Sequence, residues 1–237
     1  QRRGMKRSIV ICMLAALLGI CSAVAQEDAI ILKEVSNDST ACIYARALPE
    51  AVIYSGKKKS KKLANKGMRV AGTRTAWTPE NIGQEIGSVV ETENTFQVQE
   101  ISFNVMSNGI KGLKLSINIY ALDEEKMQYC NVMHTPMNID VPPCTDKKEL
   151  TVCPTKQLFL VPGRYFVAVK MVDCDASVKE EWSDNAKWDN KKRYSMSKQS
   201  IHFPLYLKSS YTRKGIADEL EKVPVNLGLT VKGVEYR

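Results

Sequence analysis

Leu113–Leu122, LKLSINIYAL, places Leu113, Leu115, Ile117, Ile119 and Ala121 on one phase and Lys114, Ser116, Asn118 and Tyr120 on the other. This is the two-residue period of a β-strand. On a helix of about 3.6 residues per turn the same apolar side chains would scatter around the circumference. The stretch therefore predicts a strand with one apolar face and one polar face.

The same period recurs on both sides. In Phe96–Val105, FQVQEISFNV, Phe96 and Val98 hold one phase and Ile101, Phe103 and Val105 the other. One extra residue near Gln99 and Glu100, a β-bulge, would return both sets to the core. Further strands are predicted at Met137–Val141, Glu149–Cys153, Arg164–Val172, Arg193–Ser197, Ile201–Leu207 and Val225–Val231. Asn108-Gly109 and Pro162-Gly163 supply turns. Helix signal is confined to Ile216–Lys222, IADELEK, boxed in by Gly215 and Pro224. Many short strands without intervening amphipathic helices predict an all-β chain, an antiparallel jelly-roll-like β-sandwich. We place this domain at 61–237, after a short N-terminal extension with a lysine-rich loop at 26–60.

The beginning of the chain reads as a leader. Lys6 and Arg7 follow Met5, and Ile9–Ile20 is an apolar run of twelve residues, short of the roughly 20 that span a bilayer. Ala23 and Ala25 are the small residues a signal peptidase requires before Gln26, so 1–25 is read as a signal peptide. Cys21 follows the bulky Ile20 and so departs from a lipoprotein pattern. Removing the leader takes away Arg2, Arg3, Lys6 and Arg7 and no acid, lowering the formal charge from +8 to +4. The expectation is an exported protein, periplasmic or at the outer surface, with no transmembrane helix in the mature chain.

Gly56–Lys62, GKKKSKK, carries five lysines and accounts for more than the whole mature charge. The remainder is almost balanced, which argues against the extended cationic face of a nucleic-acid binder. The run has no interleaved aromatics for stacking on single strands. It reads as a solvated loop, with an anionic surface such as lipid headgroups or acidic polysaccharide as the alternative.

Export leaves Cys42, Cys130, Cys144, Cys153 and Cys174, an odd number, as disulfide material. Cys144 and Cys153 flank PPCTDKKELTVC, which reads as a hairpin, so they are the candidate bridge; the alternative is small buried thiols with no bond. No CxxC pair is present, and His134 and His202 lie far from the cysteines, which argues against structural zinc. No cofactor is expected.

EIGSVVE (85–91), VQEISFNV (98–105), LKLSINIYAL, PGRYFVAVKMV (162–172) and LEKVPVNLGLTVKG (220–233) together resemble a family of secreted Bacteroidetes β-sandwich proteins. Such proteins occur alone or fused to carboxypeptidase-like regulatory domains, which are transthyretin-like. The resemblance implies a galactose-binding-like, jelly-roll sandwich of the cell envelope and supplies no catalytic residues. The chain departs from the pattern in its extra cysteines and in a polar insertion at Ala176–Lys192.

That insertion contains the candidate ligand site. EEWSDNAKWDNKKRY, Glu180–Tyr194, sets Trp182 and Trp188 beside Asp184 and Asp189. Indole faces with nearby amides and carboxylates suit the apolar face and hydroxyl rim of a sugar, and loops commonly carry such sites. Alternatively, both indoles cap the sandwich and are buried. Asp184 and Asp189 also make calcium a weaker variant, since their spacing is not that of an EF-hand. Asn37-Asp38-Ser39 is a glycosylation sequon and Asp38-Ser39-Thr40 an O-glycosylation-like motif. No GxSxG is present, so neither histidine has the context of a serine hydrolase. The functional expectation is a non-enzymatic envelope protein that binds a glycan or protein partner or serves a structural role. The alternative is a carbohydrate-active enzyme, glycoside hydrolase-like, on the same scaffold.

Overall fold

The computed structural model describes residues 30–35, 57–64, 66–69, 72–133, 135–175, 199–215 and 217–237. The architecture that follows is that of residues 31–237. LKLSINIYAL lies in β7 (Leu113–Asp123), which pairs along most of its length with β12 (Gly163–Asp173). From β12 the pairing continues through β4 (Glu85–Thr92), β14 (Tyr206–Arg213), β15 (Leu220–Asn226), β1 (Ile31–Glu34) and β8 (Gln128–Asn131), and β8 returns to β7. Seven strands thus close on one another, and β9 (Met137–Val141) pairs with the free half of β7. All of these pairings are antiparallel except β1 with β8. The stretch read as an N-terminal extension therefore contributes β1, which closes the ring.

A second sheet runs β10 (Lys148–Val152), β5 (Thr95–Val105), β16 (Thr230–Tyr236) and β2 (Lys58–Ala64), with β11 (Leu158–Leu160) also on β5. A small third sheet joins β3 (Arg74–Trp77), β13 (Ile201–Pro204) and β6 (Ser107–Asn108). The one helical turn among the described residues is Pro79–Asn81. The fold is all-β and jelly-roll-like, as the alternation predicts.

The core lies between the two large sheets. Leu115, Ile117, Ile119, Val167 and Val169 meet Phe96, Val98, Ile101, Phe103 and Val231, while Trp77, Ile201 and Phe203 of the third sheet close one side. Both phases of β5 point inward because the register with β16 skips a residue: Lys232 faces Glu100 and Gly233 faces Val98, so Gln99 is the extra residue of the expected bulge. At Gly233 the strands are too close for a side chain, since an added Cβ would overlap the Gln97 carbonyl oxygen and sit 2.8 Å from the Phe96 ring.

The polar phase of β7 departs from expectation. Ser116, Asn118 and Tyr120 are buried, because the ring folds β14, β15, β1 and β8 over the outer faces of β7, β12 and β4. A second cluster fills that space: Leu32, Val89, Tyr120, Tyr129, Phe166, Ala168, Tyr211 and Leu220. Tyr120 packs edge-on against Tyr129 and stacked on Phe166, which meets Tyr211 edge-on. Such aromatic pairs contribute about 0.5–1.5 kcal/mol each beyond area burial.

Three other readings are corrected. The lysine run is not a loop: from Lys58 it forms β2, aligned residue for residue with β16. The Ile216–Lys222 helix does not form, and Leu220–Asn226 is a strand instead. Pro224, which ends helices, is tolerated there because the β14 register shifts between Leu207 and Ser210, and the bulge relieves the need for a ladder N–H. Finally, PPCTDKKELTVC is not a hairpin: β9 pairs with β7 and β10 with β5, so the segment crosses from one sheet to the other. Cys144 and Cys153 stand as free thiols, the first bridging its backbone to Asn108 and the second exposed past β10. The strand expected at Arg193–Ser197 lies outside the described residues.

Candidate functional site

Three polar constellations are candidates, and they differ in accessibility. The most elaborate lies inside the ring. Glu85 of β4 is wholly inaccessible; Arg213 of β14 places Nη2 3.0 and 3.1 Å from its two carboxylate oxygens. Nη2 also donates to the Tyr120 hydroxyl at 2.7 Å, and that hydroxyl donates to Glu85 at 2.9 Å. Arg213 Nη1 lies 3.4 Å from both Glu34 and the Tyr129 hydroxyl, and Lys170 is 3.6 Å from Glu85. The guanidinium also sits 5.4 Å from the centre of the Tyr120 ring. Burial, aided by Glu85, pushes the Tyr120 hydroxyl well above the usual phenol range, so it stays a donor. Burial alone would lower the Arg213 pKa, but Glu85, Tyr120 and Tyr129 more than offset it and the cation is retained. This centre clamps β4, β7, β8 and β14 together; Glu85 is saturated by its partners and is not free to meet a substrate.

The second constellation surrounds His202 on β13. Ser107 Oγ of the neighbouring β6 is 3.0 Å from Nδ1, and Ser200 Oγ is 3.4 Å from Nε2. Burial first, and then Arg74, hold the imidazole below its ordinary pKa, favouring the neutral ring. A neutral ring can accept from one hydroxyl and donate to the other. Among the described residues no carboxylate hydrogen-bonds the ring, so the orienting third member of a hydrolytic triad is lacking. Reading by chain order passed over Ser107, because it lies 95 positions away and only strand pairing joins it to the histidine.

The third is the outer face of the five-stranded sheet at its β11–β16 end. Inward alternation of Phe96, Val98 and Leu160 leaves Gln97 and Phe159 on the outer side, and Val234 and Tyr236 follow on β16. Phe159 and Tyr236 approach to 6.0 Å between ring centres at 55°, forming a shallow V. Tyr236 donates its hydroxyl to Gln97 Oε1 at 2.7 Å, and Lys58 of β2 holds its ammonium 5.6 Å from the Tyr236 ring centre. Both rings are half-buried and Lys58 is exposed. The face can thus offer aromatic surface, an amide and a cation to one ligand. A signal for it existed in the sequence: Phe159 interrupts Leu158 and Leu160 on the opposite phase, an aromatic residue where a polar one is usual.

Trp182, Trp188, Asp184 and Asp189 are outside the described residues, as are Cys21, Cys42, His134 and the Asn37–Thr40 motifs. Among the described residues no cluster of three or more His, Cys, Asp or Glu could hold a metal. Among the described residues, too, no helix is long and apolar enough to cross a membrane.

No family model matches the chain, and no curated protein does. Among solved structures it is similar to a family two carbohydrate esterase from Cellvibrio japonicus, at 11% identity over 76% of this chain and 36% of that one, TM-score 0.24. It is also similar to the infectious bursal disease virus VP2 subviral particle, at 8% identity over 76% and 41%, TM-score 0.31. A nora virus structure aligns at 11% identity over 76% and 58%, TM-score 0.17. The chain spans less than two thirds of each of these proteins. Scores this low support no inference about activity.

Proposed function

We propose that the protein is an exported, non-catalytic β-sandwich that binds saccharide on the outer face of its five-stranded sheet. The observation that carries this reading is the Phe159–Tyr236 V with Gln97 hydrogen-bonded to its rim. A sugar ring has an apolar C–H face and an equatorial belt of hydroxyls; Tyr236 and Phe159 suit the first and the Gln97 amide suits the second. Export rests on the leader-like start and on the resemblance to secreted envelope sandwiches. A glycoside hydrolase uses two carboxyl groups flanking the scissile bond. Beside the aromatic V, Glu100 and Glu235 are each held by a cation, so neither offers a free carboxyl for such a pair.

Glycan-array binding followed by calorimetry tests it. Tyr236→Ala or Phe159→Ala should weaken the best array ligand at least tenfold, about 1.4 kcal/mol. Trp182→Ala and Trp188→Ala serve as the competing pair. Loss of binding only in the tryptophan variants, or no glycan bound at all, would overturn the assignment to this face.

A further inference from the structure

We infer that the saccharide taken by this face is a polyanion, gripped by the lysine strand that borders the aromatic V; the inference rests on the reading above. Strand β2 converts a run of lysines into an ordered ladder. Lys58, Ser60 and Lys62 share the outer face with Tyr236, Val234 and Lys232, their direct partners on β16. Lys58 and Lys62 are four residues apart, roughly 13 Å along an extended strand. Two of the acids nearby are already committed: Glu100 binds Lys232, and the inaccessible Glu235 takes Lys61 and Arg237. Among the described residues, Lys57, Lys58, Lys59 and Lys62 have no carboxylate in ion-pair range, and all four are exposed. Four such cations within six residues make this edge locally positive.

Lysines also blunt exposed sheet edges against aggregation, and that need alone would place them anywhere along β2. What ties them to the aromatic face is Lys58, whose ammonium lies beside the Tyr236 ring, so a ligand on Tyr236 meets that cation first and Lys62 further along. Carboxylate or sulfate groups repeating along a polysaccharide are complementary to this row.

The test uses polygalacturonate and its methyl ester, which share a backbone and differ in charge, together with heparin, duplex DNA and the full chain. The acidic polysaccharides should bind at least tenfold tighter than the ester, and binding should weaken as salt rises from about 0.05 to about 0.2 M. Lys58→Gln/Lys59→Gln/Lys62→Gln should abolish the preference with an unchanged circular dichroism spectrum, these side chains being exposed. Tyr236→Ala should weaken acid and ester alike. Tyr236-dependent binding that ignores charge, salt and the lysines would overturn this inference and leave the saccharide face standing. Lysine-dependent binding untouched by Tyr236→Ala would overturn the saccharide face and, with it, a single ligand spanning both. Duplex DNA binding as tight as the acidic polysaccharides would overturn the choice of polymer.

Discussion

Glu85→Gln isolates the contribution of the ring's ionic centre. The amide keeps the shape and still accepts from Tyr120, but Arg213 loses, among the described residues, the one fully buried counter-charge within its reach. Breaking a buried pair from one side typically costs about 3–5 kcal/mol. Glu34 remains 3.4 Å from Nη1, but it is half exposed and compensates only in part, so about 3 kcal/mol is expected. Out of a total stability of about 5–15 kcal/mol this is a large loss. In urea, with a slope near 2 kcal/mol/M, the midpoint should fall by roughly 1.5 M at unchanged slope. The companion variant Glu85→Met/Arg213→Met removes both charges and should cost less than Glu85→Gln alone, because no buried cation is left behind. A single-variant loss under about 0.5 kcal/mol, or a double variant as damaged as the sum of its singles, would refute the view that the pair clamps the ring.

Two further outcomes are expected. Gly233→Ala should cost more than about 2 kcal/mol by thermal or urea unfolding, since the new methyl overlaps the Gln97 carbonyl and presses on Phe96; a near-neutral result would mean the bulge opens freely. Glu235, hydrogen-bonded by Lys61 and then Arg237, is held down to about 2 from an ordinary 4.5. A depressed folded-state pKa stabilises above the unfolded value and is lost as pH falls through the folded one. The stability gap between wild type and Glu235→Gln should therefore be constant above pH 4.5 and close between 4.5 and about 2; a gap independent of pH in that window would contradict the assignment.

What the sequence made legible was whatever depends on a period of two. LKLSINIYAL and FQVQEISFNV gave both central strands and even the bulge, because burial of one face forces strict alternation and a single slipped residue shows. What it hid depends on which strand lies beside which. Ser116, Asn118 and Tyr120 look solvent-facing until the ring closes over them; Glu85 and Arg213 are 128 positions apart and look like surface charges until β14 meets β4. IADELEK failed for a related reason: its local helical preference was overridden by ladder partners on both β14 and β1.

The lysine run shows how pairing changes the meaning of a composition. As a loop, GKKKSKK would be a mobile cloud of charge with no fixed spacing, and its ligand preference would be set by charge alone. As β2, the same residues alternate: Lys61 turns toward Glu235 and is neutralised, while Lys58 and Lys62 face outward at fixed distances from Tyr236. Leu63 in the core and the hydrogen-bonded ladder to β16 hold that arrangement, so Lys61 stabilises the fold through Glu235 while the other lysines of the run stay exposed. The site is therefore inseparable from the edge of the sheet: shifting β2 by one residue would turn Lys58 and Lys62 inward, expose Leu63, and lose core packing and ligand contact together.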